Sequence, residues 1–104
     1  MAKQIIAALR GTIIPLVEED LKEIWRAFQG GRTWHRVGRK STMRARFKHE
    51  SYGGQLSLEW WGPAVHFEII QDRSGMFTGA FFGQVKRHGG DAVDRIDVRF
   101  DIEH

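Results

Sequence analysis

Two hydrophobic periods divide the chain. In the first part, Val17, Leu21, Ile24, Trp25 and Phe28 recur at the spacing of one helix face, and Glu18, Glu19, Lys22, Glu23 and Arg26 fill the other. Pro15 suits a first helical turn, where its missing N–H costs nothing. Glu18, Glu19 and Asp20 suit the positive end of the helix dipole, and Gly30-Gly31 suits its stop. The spacing predicts a helix over residues 15–29. Residues 3–9 fit either a short helix or a strand, and we read them as helical.

From residue 33 the period falls to two. Met43, Ala45 and Phe47 alternate with Arg44, Arg46 and Lys48, and Leu56, Leu58 and Trp60 with Ser57, Glu59 and Trp61. Val65, Phe67 and Ile69 alternate with His66, Glu68 and Ile70, and Ile96, Val98, Phe100 and Ile102 with Arg95, Asp97, Arg99, Asp101 and Glu103. Such alternation marks antiparallel strands with one wet face. Turn residues separate them at 51–54, 62–63, 72–75 and 88–91. Met76–Lys86 reads as a further strand, with Gly79 and Gly83 as bends or close-approach points. The expected fold is α+β: an N-terminal amphipathic helix packed on a curved five-stranded antiparallel meander. We expect one domain over 1–104, with a helical segment at 1–31 and the sheet at 32–104.

The turns also predict register. A two-residue loop at Gly62-Pro63 sets Trp61 opposite Ala64, Trp60 opposite Val65, Glu59 opposite His66 and Leu58 opposite Phe67. A four-residue loop at 51–54 sets Phe47 opposite Leu58, Arg46 opposite Glu59 and Arg44 opposite Trp61. Together they place Arg46, Glu59 and His66 in one row on the wet face. A two-residue shift would keep the apolar parity and break that row.

Charge changes the picture more than composition does. The net charge of +3 hides a block at residues 32–49 with seven basic side chains and no acid: Arg32, Arg36, Arg39, Lys40, Arg44, Arg46 and Lys48. Residues 50–104 carry five basic and nine acidic side chains. A block of this kind attracts phosphate backbones or acidic protein surfaces, or is simply solvated. Trp34 lies inside the block, and Trp61 and Phe82 fall off the apolar stripes. Exposed aromatics among basic residues can stack nucleic-acid bases or line a subunit interface. Trp25, Trp60, Phe67 and Phe100 lie on apolar stripes and are expected in the core.

Several chemistries are absent. With no Cys there is no disulfide, thiolate nucleophile or cysteine-ligated metal. No His, Asp or Glu spacing matches a metal site, so neither metal nor cofactor is expected. No glycine-rich phosphate loop, RNA-recognition motif or helix-turn-helix is visible. No stretch approaches the ~20 apolar residues of a membrane span. Arg10 and Gly11 interrupt the short apolar run at the N-terminus, which argues against a secretory signal. The expectation is a soluble cytoplasmic protein.

These features support three readings. The first is a non-enzymatic nucleic-acid-binding module, with Arg32, Arg36, Arg39, Lys40, Arg44, Arg46 and Lys48 on phosphates and Trp34 and Trp61 as stacking groups. The second is a homo-oligomer, most simply a dimer. In it the edge strand Asp94–Glu103 would meet the basic residues 42–48 of another copy, with Trp61 and Phe82 at the interface. The third is a metal-free ribonuclease using Arg46, Glu59 and His66; the plainer account of that row, which we favour, is a cross-strand ion pair beside a histidine.

Overall fold

The structure, a computed structural model, describes residues 5–26, 33–38 and 43–103. Among these residues six strands form one antiparallel sheet: β1 (Ile5–Pro15), β2 (Trp34–Val37), β3 (Arg44–His49), β4 (Gln55–Trp61), β5 (Ala64–Ile70) and β6 (Val93–Glu103). Their order across the sheet is β2-β3-β4-β5-β1-β6. Two helices, α1 (Leu21–Arg26) and α2 (Met76–Gly89), supply the remaining core residues. The α+β class and the antiparallel sheet agree with the sequence; the strand count, helix positions and chain order do not.

The segment expected to open on a helix is instead an inner strand. β1 lies between β5 and β6, with Leu9 opposite Ile69 on one side and Phe100 on the other. Flanked on both edges, it buries residues of both parities, including Ala8, Leu9 and Ile13. A strand buried this way reads as an apolar run, which periodicity cannot tell from a helix. A register shift between Ile6 and Ala8 erases what alternation remained. Pro15 pairs with Val93 at the end of this strand and takes no part in a helix. Leu16 N–H donates to the Ala92 carbonyl at 2.9 Å, prolonging the pairing.

That pairing delays the expected helix. Val17 stays extended and half-exposed, Glu18–Asp20 makes one 3-10 turn, and α1 begins only at Leu21. Its buried face is the expected one, with Leu21, Ile24 and Trp25 turned inward. Phe28 lies outside the described residues.

Met76–Gly89 is a helix, not a strand bent at glycines. Phe77, Phe81 and Val85, spaced four apart, are all buried. Gly79 and Gly83 have open space where a Cβ would stand, so neither marks a close approach. Each glycine costs a helix interior about 1 kcal/mol, which weakens the sequence signal. Local hydrogen bonds offset part of that cost. The Asp72 carboxylate accepts from Thr78 N–H at 2.9 Å, the Thr78 hydroxyl at 2.6 Å and Gly75 N–H at 3.0 Å. Met76 N–H donates to the Ser74 hydroxyl at 3.2 Å, so the first turn is largely satisfied.

Ring contacts tie the helices to the sheet. Trp25 of α1 meets Trp60 at 6.1 Å, Phe81 of α2 meets Phe67 at 4.7 Å, and Phe77 meets Trp34 edge-on at 5.1 Å. Phe77 and Phe81 are fully buried, and each contributes on the order of 1.5–3 kcal/mol by burial. Gly11 stands opposite Phe67, whose ring occupies the space a Cβ would need.

The β4–β5 hairpin has the expected register in every pair, from Leu58–Phe67 to Trp61–Ala64. Gly62, at φ 61°, with Pro63 after it fits the first position of a type II′ turn. The β3–β4 hairpin is shifted by two residues: Arg44 faces Glu59, Ala45 faces Leu58, Arg46 faces Ser57 and Phe47 faces Leu56. The parity, and with it the buried set, is preserved. The row is not, because the loop between His49 and Gln55 is longer than expected.

Three aromatic assignments change. Trp34 is 3% exposed, because β2 turns it inward against Phe77 and His49. Phe82 is half-buried against Phe67 and Phe81. Phe100, expected in the core, is 56% exposed, since it lies on β6 at the sheet's margin.

Candidate nucleic-acid interface

Both helices pack on the side of the sheet that carries Phe47, Leu56, Leu58, Phe67 and Leu9. The alternate residues form the opposite face, and pairing sorts them into rows. One row runs Arg46, Ser57, Glu68, Arg10 and Arg99, from β3 through β4, β5 and β1 to β6. The next runs Arg44, Glu59, His66, Thr12 and Asp97. Each row brings together residues far apart in sequence, with neighbouring strands ~4.8 Å apart.

Ion pairs organise both rows. Arg10 Nε donates to Glu68 at 2.7 Å, and Arg44 Nε lies 3.3 Å from Glu59. Both pairs are well exposed, so each contributes ~0–1 kcal/mol to stability. Lys48, Arg46 and Arg95 also stand on this side, and cations outnumber carboxylates among its described residues. Two depressions open here. One, of about 560 Å³, is bordered by Arg44, Arg46, Ser57 and Glu59. The other, of about 320 Å³, is bordered by Arg10, Thr12, His66, Asp97 and Arg99.

His66 and Trp61 form the aromatic part of the surface. Their rings stack at 3.6 Å and 11°, while Trp61 remains 55% exposed. His66 Nε2 lies 3.3 Å from the Trp61 carbonyl oxygen, and Nδ1 lies 3.4 Å from the Thr12 hydroxyl. A carbonyl only accepts, so Nε2 carries a proton and donates to it, while the Thr12 hydroxyl shares a hydrogen bond with Nδ1. The imidazole is thus held at both nitrogens and covered on one side by indole.

The sequence-derived site is divided by the structure. Arg44, Arg46, Lys48 and Trp61 stand together on the open face. Trp34 faces the core. Arg36 shares its side of the sheet, half-buried opposite Phe47, with its guanidinium donating to the Arg44 carbonyl at 3.4 Å. Arg32, Arg39 and Lys40 lie outside the described residues. The expected row Arg46–Glu59–His66 is replaced by Arg44–Glu59–His66, since Arg46 faces Ser57. Sequence reasoning missed Arg10 and Arg99. They lie far from the basic block, and only the pairing of β1 with β5 and β6 brings them into the row of Arg46. Their alternation with apolar neighbours was the available signal for Arg99; Arg10 had none once residues 3–9 were read as helical.

Among the described residues, no group of His, Asp and Glu is placed to hold a metal ion, and no helix is long and apolar enough to cross a membrane. Comparison of the chain with protein-family models, with curated proteins and with solved structures finds no match.

Proposed function

We propose that the protein is a non-enzymatic nucleic-acid-binding module whose open sheet face takes a single strand. The observation that carries this reading is the row of Arg46, Arg10 and Arg99 beside Arg44 and the Trp61–His66 stack, on the face that neither helix covers. Guanidinium groups pair with phosphate oxygens through paired N–H donors. An exposed indole backed by an imidazole offers a flat surface on which a base stacks, whatever its identity. Arg46 and Arg10 lie three strands apart, about 14 Å, so the cations follow an extended backbone across the strands.

The test is a salt series of binding to single- and double-stranded DNA and RNA. Log affinity for a single strand should fall linearly with log salt, by ~0.7 per phosphate contacted. Arg46→Gln and Arg10→Gln should each make that slope shallower, and Trp61→Ala should cost ~1–3 kcal/mol at any salt. Absence of binding at low salt, or slopes unchanged in both arginine variants, overturns the reading. Binding to an acidic protein surface in place of nucleic acid would overturn it too.

A further inference from the structure

The two margins of the sheet differ. β2 is four residues long, whereas β6 runs for eleven and pairs with β1 alone among the described strands. A long edge leaves a row of backbone N–H and C=O groups open to another strand. The side of β6 that continues the core is also uncovered: Val98 is 42% exposed and Phe100 56%. The other side carries Arg95, Asp97 and Arg99. Along this side the charges alternate in sign, an arrangement that favours a neighbouring strand of complementary charge order.

The strand's own sequence supplies that neighbour. When β6 pairs antiparallel with β6 of a second copy, residues of the same face oppose each other only if the two-fold axis passes through or between positions of matching parity. With the axis through Val98, Asp97 opposes Arg99 of the second copy and Arg95 opposes Asp101. On the other side, Val98 opposes Val98 and Ile96 opposes Phe100. With the axis through Asp97, Asp97 meets itself and Arg95 meets Arg99. With the axis through Arg99, Arg99 meets itself and Asp97 meets Asp101. Parallel in-register pairing sets every charge against its like. Basic residues 42–48, the complement expected from sequence, cannot serve in this way, because β3 is already flanked by β2 and β4.

The geometry points to a second copy of this chain as the occupant of the β6 edge, paired antiparallel about Val98. The result is a continuous twelve-stranded sheet, built from two six-stranded ones. Both open faces lie on the same side of it and both helical layers on the other. The pairing shares Arg99 with the proposed nucleic-acid face, so it is tested by sedimentation without nucleic acid, where loss of strand binding has no bearing on the outcome.

Sedimentation equilibrium tests it. Wild-type protein should be a dimer at micromolar concentration. Asp97→Arg and Arg99→Asp each create two like-charge contacts across the axis, and each should raise the dimer Kd by about tenfold or more. The double variant exchanges the charges and should dimerise again. An equimolar mixture of the two single variants should also form dimers, as heterodimers, with thermal melts confirming that each variant is folded. A wild-type monomer at high micromolar concentration and low salt overturns the proposal. So do single variants that remain dimeric, or a mixture that stays monomeric.

Discussion

The helix-covered face and the open face are built from the same strands, alternate residues going to each. Yet they hold their side chains by different means. On the covered face, Phe47, Leu56, Leu58 and Val65 are almost wholly removed from water and packed against Phe77 and Phe81. On the open face, Arg10–Glu68 and Arg44–Glu59 are well-formed pairs in solvent. The first arrangement contributes stability through area and close packing. The second contributes little stability and leaves a patterned field of charge. Side chains on the open face can therefore change while the fold is maintained by the other.

The largest expected effect separates the faces directly. Phe81→Ala should cost ~3–5 kcal/mol in a denaturant melt, through lost burial and a cavity beneath Phe67. Trp61→Ala removes a larger side chain, yet should change stability by less than about 0.5 kcal/mol. Equal costs would mean that the open face is part of the core. A smaller effect is expected where the layers meet at Gly11. A Cβ there would collide with the Asp97 carbonyl oxygen and the Phe67 ring, so Gly11→Ala should cost ~1–3 kcal/mol as the strand and ring shift. A melt unchanged from wild type would show that β1 does not approach its neighbours so closely. The smallest effect sharpens the contrast: Glu68→Gln should lower stability by no more than ~1 kcal/mol. It removes the negative charge opposite Arg10 and should strengthen single-strand binding at low salt. Weaker binding in this variant would mean that Glu68 orients Arg10 toward its ligand.

What could be read in the sequence depended on how many constraints acted on each segment. The β4–β5 hairpin was legible because two alternating strands meet at a Gly-Pro pair that admits one loop length. The β3–β4 parity was legible for the same alternation, but the loop after His49 contains no such marker, so a two-residue shift went undetected. β1 was hidden by burial on both parities and by its bulge, and α2 by two glycines on the side away from the core. Trp34 was misplaced because β2 is too short to display alternation, and its arginine neighbours suggested solvent. On the open face, the residues from the basic block were legible by composition. Arg10 and Arg99 were not, because their membership depends on which strands become neighbours.

The place of β1 also governs the order in which the molecule can assemble. β1 precedes every other described element in the chain, but its two partners, β5 and β6, come much later. During synthesis the β2–β5 meander can close hairpin by hairpin from local contacts, while β1 waits for distant ones. Pairings at such sequence separation are slow to form and leave apolar strands open to misassociation in the meantime. For β1 the exposed residues are Leu9 and Ile13, and Arg10 stands between them. A charge inside an apolar strand discourages intermolecular stacking. The guanidinium that joins the open face of the finished sheet is thus the charge that stands between Leu9 and Ile13 while β1 waits for its partners.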